Sequence, residues 1–224
     1  MKIKPIVIVA GEPFSIFLEI FFKSLKKKKI KEMKNPIIIV GSKNLLISQM
    51  KRMNYKFSFN NVSNKKINLK GLNNKRINIL NVDFKFKKPF DKISIKSKSY
   101  IEKCIISALD LIKKNKIKVL INGPISKTHF LQKKFPGMTE YFANKFAHDG
   151  KEVMLIFNKN LSVSPITTHY PLKKIFKRIT IKKIIMHIKT INYFFKKYLS
   201  KKGRFVVSGL NPHCETTDKF SEDD

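Results

Sequence analysis

Apolar residues in this chain fall into short β-branched blocks that alternate with stretches of helical spacing, the pattern of an α/β protein with a largely parallel sheet. Buried strands are expected over residues 3–10, 36–40, 116–122 and 205–208, with shorter ones over 55–59 and 77–82. Residues 153–157 and 161–165 read as a strand pair about a turn at 158–160. Helical periodicity is expected over 15–29, 42–53, 126–134 and 139–148, with Ser42 as a cap. Another helix begins at Ser99, where Ser99 and Glu102 have the spacing of a capping box. Ile101, Cys104, Ile105, Ala108, Leu111 and Ile112 share its inner face, so Cys104 reads as a small core residue. Thr180 caps a long amphipathic helix with Ile181, Ile184, Ile185, Ile188, Ile191 and Phe195 on its apolar side. Residues 54–98, rich in Asn and Lys, give the weakest pattern.

Composition adds a strong charge. The 224 residues carry 48 Lys plus Arg against 15 Asp plus Glu, a net charge of +33. Such a surface suggests nucleic acid, because basic side chains neutralise phosphates. Yet only Arg52, Arg76, Arg178 and Arg204 are arginines, the residue best suited to bidentate phosphate and base contacts. The excess Lys accompanies Ile, Asn and Phe, all served by AT-rich codons, while Trp is absent. Compositional drift over solvated faces explains the charge better, and a nucleic-acid partner is not expected. A hydrophobic share of 42% excludes a disordered basic tail. No apolar run approaches the roughly 18 residues a bilayer crossing needs. Two cysteines, Cys104 and Cys214, make neither a disulfide framework nor a Cys-based zinc site. A cytoplasmic chain without a membrane segment is the expectation.

Candidate chemistry gathers where strands end, the ligand-binding edge of open α/β sheets. Four exits stand out: Gly11-Glu12-Pro13, Gly123-Pro124-Ile125-Ser126-Lys127, Thr167-Thr168-His169 and Asn211-Pro212-His213. His169 and His213 each follow a strand and offer imidazoles to one shared ion; local hydrogen bonding by two loop histidines is the alternative. His129, His148 and His187 read as structural or exposed, His187 on the polar side of the long helix. Lys127, after a Gly-Pro turn, is a candidate phosphate ligand or base. No G-x-G-x-x-G follows a strand, and neither a P-loop nor a G-x-S-x-G elbow is present.

These exits, together with Phe135-Pro136-Gly137-Met138-Thr139-Glu140 and Thr167-Thr168-His169-Tyr170-Pro171-Leu172, stand in the order of the 4-hydroxythreonine-4-phosphate dehydrogenase (PdxA) family, which the chain resembles. The resemblance implies a two-lobed α/β/α fold of the isocitrate/isopropylmalate dehydrogenase type. Residues 1–122 would form the first lobe and 123–224 the second, which carries the metal histidines. It also implies NAD- or NADP-dependent oxidation of 4-phosphooxy-L-threonine in vitamin B6 biosynthesis, followed by loss of CO₂ to give 3-amino-2-oxopropyl phosphate. A homodimer with a divalent ion (Zn, Mg or Co) and a small phosphorylated amino acid as substrate belongs to the same expectation. His169 and His213 fall on two of the three metal ligands. Thr139 falls on a substrate-binding threonine, and Lys127 on a lysine near the cleft. Two departures go with the resemblance. Met138 stands where the family usually has His, which points to a related dehydrogenase for another hydroxy acid phosphate. The family also continues past Asp224 with the third metal His and further substrate-binding residues. The expectation is therefore of a C-terminally truncated fold, incomplete in both lobes and inactive by itself. A basic RNA-binding protein is the alternative of a different class.

Overall fold

The computed structural model describes residues 4–64, 67, 71–147 and 150–209, which divide into two compact units, Met1–Lys134 and Phe135–Asp224. The first unit is built on five parallel strands: β1 (Ile6–Val9), β2 (Ile37–Gly41), β3 (Phe59–Asn61), β4 (Ile77–Asn81) and β5 (Val119–Asn122). Their order across the sheet is β3-β4-β2-β1-β5. Register pairs Ile8 with Ile39 and with Ile121, and Ile39 with Ile79.

Side chains alternate across the sheet, so each face collects its own layer. Ile8, Ala10, Ile39, Ile77 and Ile79 form one cluster with Leu18, Phe21, Phe22 and Leu25 of α1 (Phe17–Lys26) and Leu46 and Met50 of α3 (Lys43–Arg52). The opposite positions, Val7, Val9, Ile38 and Val40, are fully buried as well. On that side α4 (Lys98–Asn115) packs against β1 and β2. Strands buried on both faces explain the continuous β-branched runs of the sequence. This is the α/β parallel-sheet class read from the pattern.

Several boundaries differ from the sequence reading. The first helix ends at Lys26 because Lys27 turns extended (φ −70°, ψ 131°), and the lysine run continues as the single turn α2 (Lys28–Lys31). Ser42 caps α3 as expected, accepting from the Leu45 amide at 3.3 Å. The Ser99–Glu102 capping box does not form: α4 starts one residue earlier, after a 3₁₀ turn at Ile95–Ser97. The weakly patterned region around 74 is held by polar pegs instead of apolar ones. Asn74, 4% exposed, accepts from the Ile37 amide at 2.8 Å and donates to Met33 O and Asn35 O.

In the second unit the described elements are α5 (Met138–Lys145), two 3₁₀ turns at Leu172–Lys174 and Phe176–Arg178, and α6 (Ile181–Leu199). Thr180 caps α6 as read from the sequence, accepting from the Lys183 amide at 3.2 Å. The expected strand pair reduces to one antiparallel bridge, Ile156 with Val163. Residues 205–208 are not a strand: they have no regular structure, and Val206 is 95% exposed. No helix among the described residues is long and apolar enough to cross a membrane.

Candidate functional site

In the first unit, the neighbouring strands β1 and β5 end in glycine turns that interlock. Gly11 has φ +74°, and a Cβ there would lie 2.5 Å from Pro124 O. A Cβ on Gly123 would lie 2.3 Å from Ala10 O. The close approach lets the Glu12 amide donate to Pro124 O and the Gly123 amide to Val9 O, both at 2.8 Å. Only glycine tolerates either position. The seam turns Glu12 inward: it is 2% exposed, takes a hydrogen bond from the Ser97 hydroxyl on Oε1, and buries Oε2. Ser97 was not singled out by sequence; its partner lies 85 positions away. Lys127 opens a π-helical turn, Lys127–Leu131, beyond β5 and is exposed. Ser126 caps that turn through the His129 amide at 3.3 Å.

The second unit gathers two sequence motifs at one corner. Gly137, buried and extended (φ −160°), is the N-cap of α5, so half-buried Met138 and Thr139 open the helix. His169 is exposed and left-handed (φ +58°). Its Nε2 lies 2.9 Å from where a Cβ on Gly137 would stand. Glu140 fastens the two segments, with Oε1 accepting from the Thr168 hydroxyl at 2.8 Å. Thr139 and His169 thus occupy one corner, Lys127 belongs to the other unit, and His213 and Cys214 lie outside the described residues.

Behind this corner is a cavity of about 140 Å³ lined by Thr139, Glu140, Glu152, Arg178, Lys183 and His187, among others. His187 corrects the sequence reading, which put it on the polar side of its helix. It is 4% exposed, with neither ring nitrogen partnered. Burial holds its pKa down, Lys183 adds to that, and Glu152 opposes it. Glu152 carried no sequence signal, since it neither follows a strand nor belongs to a spaced motif, whereas His187 stands three residues after Ile184 and four before Ile191, the spacing of one helix face. Cys104 is core as expected: fully buried, its thiol is pushed up to about 12 by desolvation, against a smaller opposing pull from Tyr100.

The comparisons with known proteins agree with one another. The family model described as "Pyridoxal phosphate biosynthetic protein PdxA" matches residues 32–224. A 4-hydroxythreonine-4-phosphate dehydrogenase of Sulfurihydrogenibium sp. (strain YO3AOP1) is 31% identical over 214 residues, covering 93% of this chain and 63% of that protein. A D-threonate 4-phosphate dehydrogenase of Salmonella typhimurium is 23% identical, covering 100% of this chain and 68% of its own. The chain thus spans about two thirds of the length of these relatives, 63% and 68%. A solved structure from Salmonella typhimurium matches with a TM-score of 0.79 at 20% identity, over 96% of this chain and 66% of that one. The 4-hydroxythreonine-4-phosphate dehydrogenase of Klebsiella pneumoniae matches with a TM-score of 0.76 at 20% identity, over 94% and 65%. At that identity the likeness is one of fold.

Proposed function

The chain belongs to the PdxA family, and on that premise we propose that it takes part in the nicotinamide-dependent oxidation of 4-phosphooxy-L-threonine for pyridoxal phosphate biosynthesis. The secondary alcohol at C3 loses a hydride to NAD or NADP and a proton to solvent or a base. The product, 2-amino-3-oxo-4-phosphooxybutanoate, is a β-keto acid and loses CO₂ to give 3-amino-2-oxopropyl phosphate. The observation that carries this reading is the corner where Thr139 opens α5 and His169 closes over Gly137. Thr139 offers a hydroxyl to the substrate, and Glu140 holds the Thr168–His169 segment in place through Thr168. Lys127 offers an exposed ammonium to an anionic group.

We assign His169 and His213 to a divalent ion of the Zn, Mg or Co type. Among the described residues no three His, Cys, Asp or Glu side chains are grouped to hold one. They supply His169 alone, short of the three protein ligands a catalytic site needs, so no step here is routed through the ion. When bound, such an ion lowers the pKa of a coordinated hydroxyl and polarises the ketone that forms. The assignment of a homodimer in the cytoplasm rests on the family alone.

Met138 favours a second reading, a related hydroxy acid phosphate such as D-threonate 4-phosphate, the substrate in one relative's name. A thioether cannot donate the hydrogen bond of an imidazole. The test is NAD(P)H formation, followed optically, with each substrate and added divalent metal. Turnover of 4-phosphooxy-L-threonine with CO₂ release supports the oxidation and overturns the expectation that residues 1–224 are inactive by themselves; turnover of the threonate alone transfers the assignment to the second reading, and a chain that neither turns over nor binds either substrate refutes both. Gly137→Ala should weaken substrate binding about tenfold or more by pushing the His169 ring and the Glu140 carboxylate aside. Its melting temperature should hold, since the glycine already has an extended φ.

A further inference from the structure

The cavity behind the His169 corner carries opposite charges on its walls that do not meet. Glu140 and Glu152 line it together with Arg178 and Lys183. Yet the ion pairs among the described residues are Lys23–Glu19, Lys28–Glu32 and Lys114–Asp110, none of them here. Oε2 of Glu140 and Oε2 of Glu152 are buried without a hydrogen-bond partner. So are both nitrogens of His187, a side chain only 4% exposed. Arg178 lies over the Tyr170 ring, 3.9 Å from its centroid, a cation–π contact and not a carboxylate pair.

Buried carboxylate oxygens without donors are costly. A small anion entering this space meets two carboxylates, and a small cation meets an ammonium and a guanidinium. A zwitterion satisfies both walls. We propose that the cavity receives the ammonium group of an amino-acid substrate, with Glu152 and Glu140 accepting from it and Lys183 and Arg178 facing its anionic end. Burial lowers the pKa of His187 and so disfavours a competing cation there.

This inference rests on the proposed oxidation and specifies its substrate class: Glu152 separates a 2-amino acid phosphate from a 2-hydroxy one. An ammonium gives three charge-assisted donors to the acidic wall. The hydroxyl of a threonate gives one neutral donor and leaves a buried carboxylate short of a partner, the kind of mismatch that discriminates strongly. Glu152 lies outside the strand exits, so this selectivity is independent of the choice between Met and His at position 138.

The experiment is calorimetric titration of the protein with 4-phosphooxy-L-threonine and with D-threonate 4-phosphate, without nicotinamide. The wild type is expected to bind the amino acid at least about tenfold more tightly. Glu152→Gln should bring the ratio close to one, chiefly by weakening the amino acid. Glu152→Asp should keep the preference in part, which separates lost charge from lost folding. Lys183→Met should weaken both ligands alike. A wild type that prefers the threonate, or an unchanged ratio in Glu152→Gln, overturns the inference while leaving a dehydrogenase of this class standing. Binding of neither ligand overturns the proposed function and the inference together.

Discussion

His187 shows what one buried side chain imposes on the pH response of the protein. The ring is surrounded by Lys183 on its own helix and by Glu140, Glu152, Tyr170 and Arg178 around the same cavity. Its pKa in the folded state lies below the usual value of 6.5, first because of burial. The unfolded chain therefore takes up a proton on this ring at a higher pH than the folded one does. Its contribution to stability is complete above about pH 6.5 and fades as the pH falls through the lowered folded value. Thermal melts from about pH 7.5 down to about pH 5 should show the wild type losing melting temperature more steeply than His187→Gln. Parallel profiles would mean that His187 is not desolvated. The residue was legible through its spacing from Ile184 and Ile191, and reading it by its polarity alone put it on the wrong face.

Among the elements, capping shows where local sequence suffices and where it fails. Ser42 and Thr180 are legible because each cap needs only its own hydroxyl and an amide three residues on. Thr180→Ala should cost about 1 kcal/mol, read as a lower urea midpoint with an unchanged slope. The Ser99–Glu102 box fails because the 3₁₀ turn before it delivers a helical chain at Lys98. Ser97, which then stands at the cap, gives its hydroxyl to Glu12 instead. That partner is distant in sequence, so no local rule reaches it. Residues 205–208 have the composition of a strand but no strand partner among the described residues, and β-propensity without a neighbour to pack on carries little. Of the candidate site, the Gly137-Met138-Thr139 and Thr168-His169 motifs were legible through their resemblance to a family. Glu152 comes into view only in the fold, where it and His187 line one cavity.

For the molecule as a whole, apolar burial is distributed unequally. The first unit buries apolar residues on both faces of its sheet, with Phe22, Ile38, Ile39, Leu45, Leu46 and Ile105 all essentially inaccessible. Among the described residues of the second unit, the buried apolar set is Tyr141, Ala143 and Ile191, while Leu161, Leu172 and Ile181 are about three-quarters exposed, at 74%, 74% and 78%. Local opening should therefore be far easier there. Native-state hydrogen exchange should find the amides of β1, β2 and β4 protected by at least about a hundredfold more than those of Ile156 and Val163. Equal protection would mean that the second unit has a core as cohesive as the first. Exposed lysines occur on all six helices, in keeping with a charge set by composition.

The interlocked glycines at the ends of β1 and β5 also limit what this sequence can vary. The chain has only eight glycines, in a composition dominated by Lys, Ile and Asn. At Gly11 and Gly123 an added methyl would run into backbone oxygen, which no rotamer change relieves. Substitutions tolerated on the exposed lysine-bearing faces meet a steric floor at this seam. Neither position admits a side chain, because each glycine makes room for backbone of the other's strand. The pair is in effect one steric requirement written at two sites 112 residues apart in sequence.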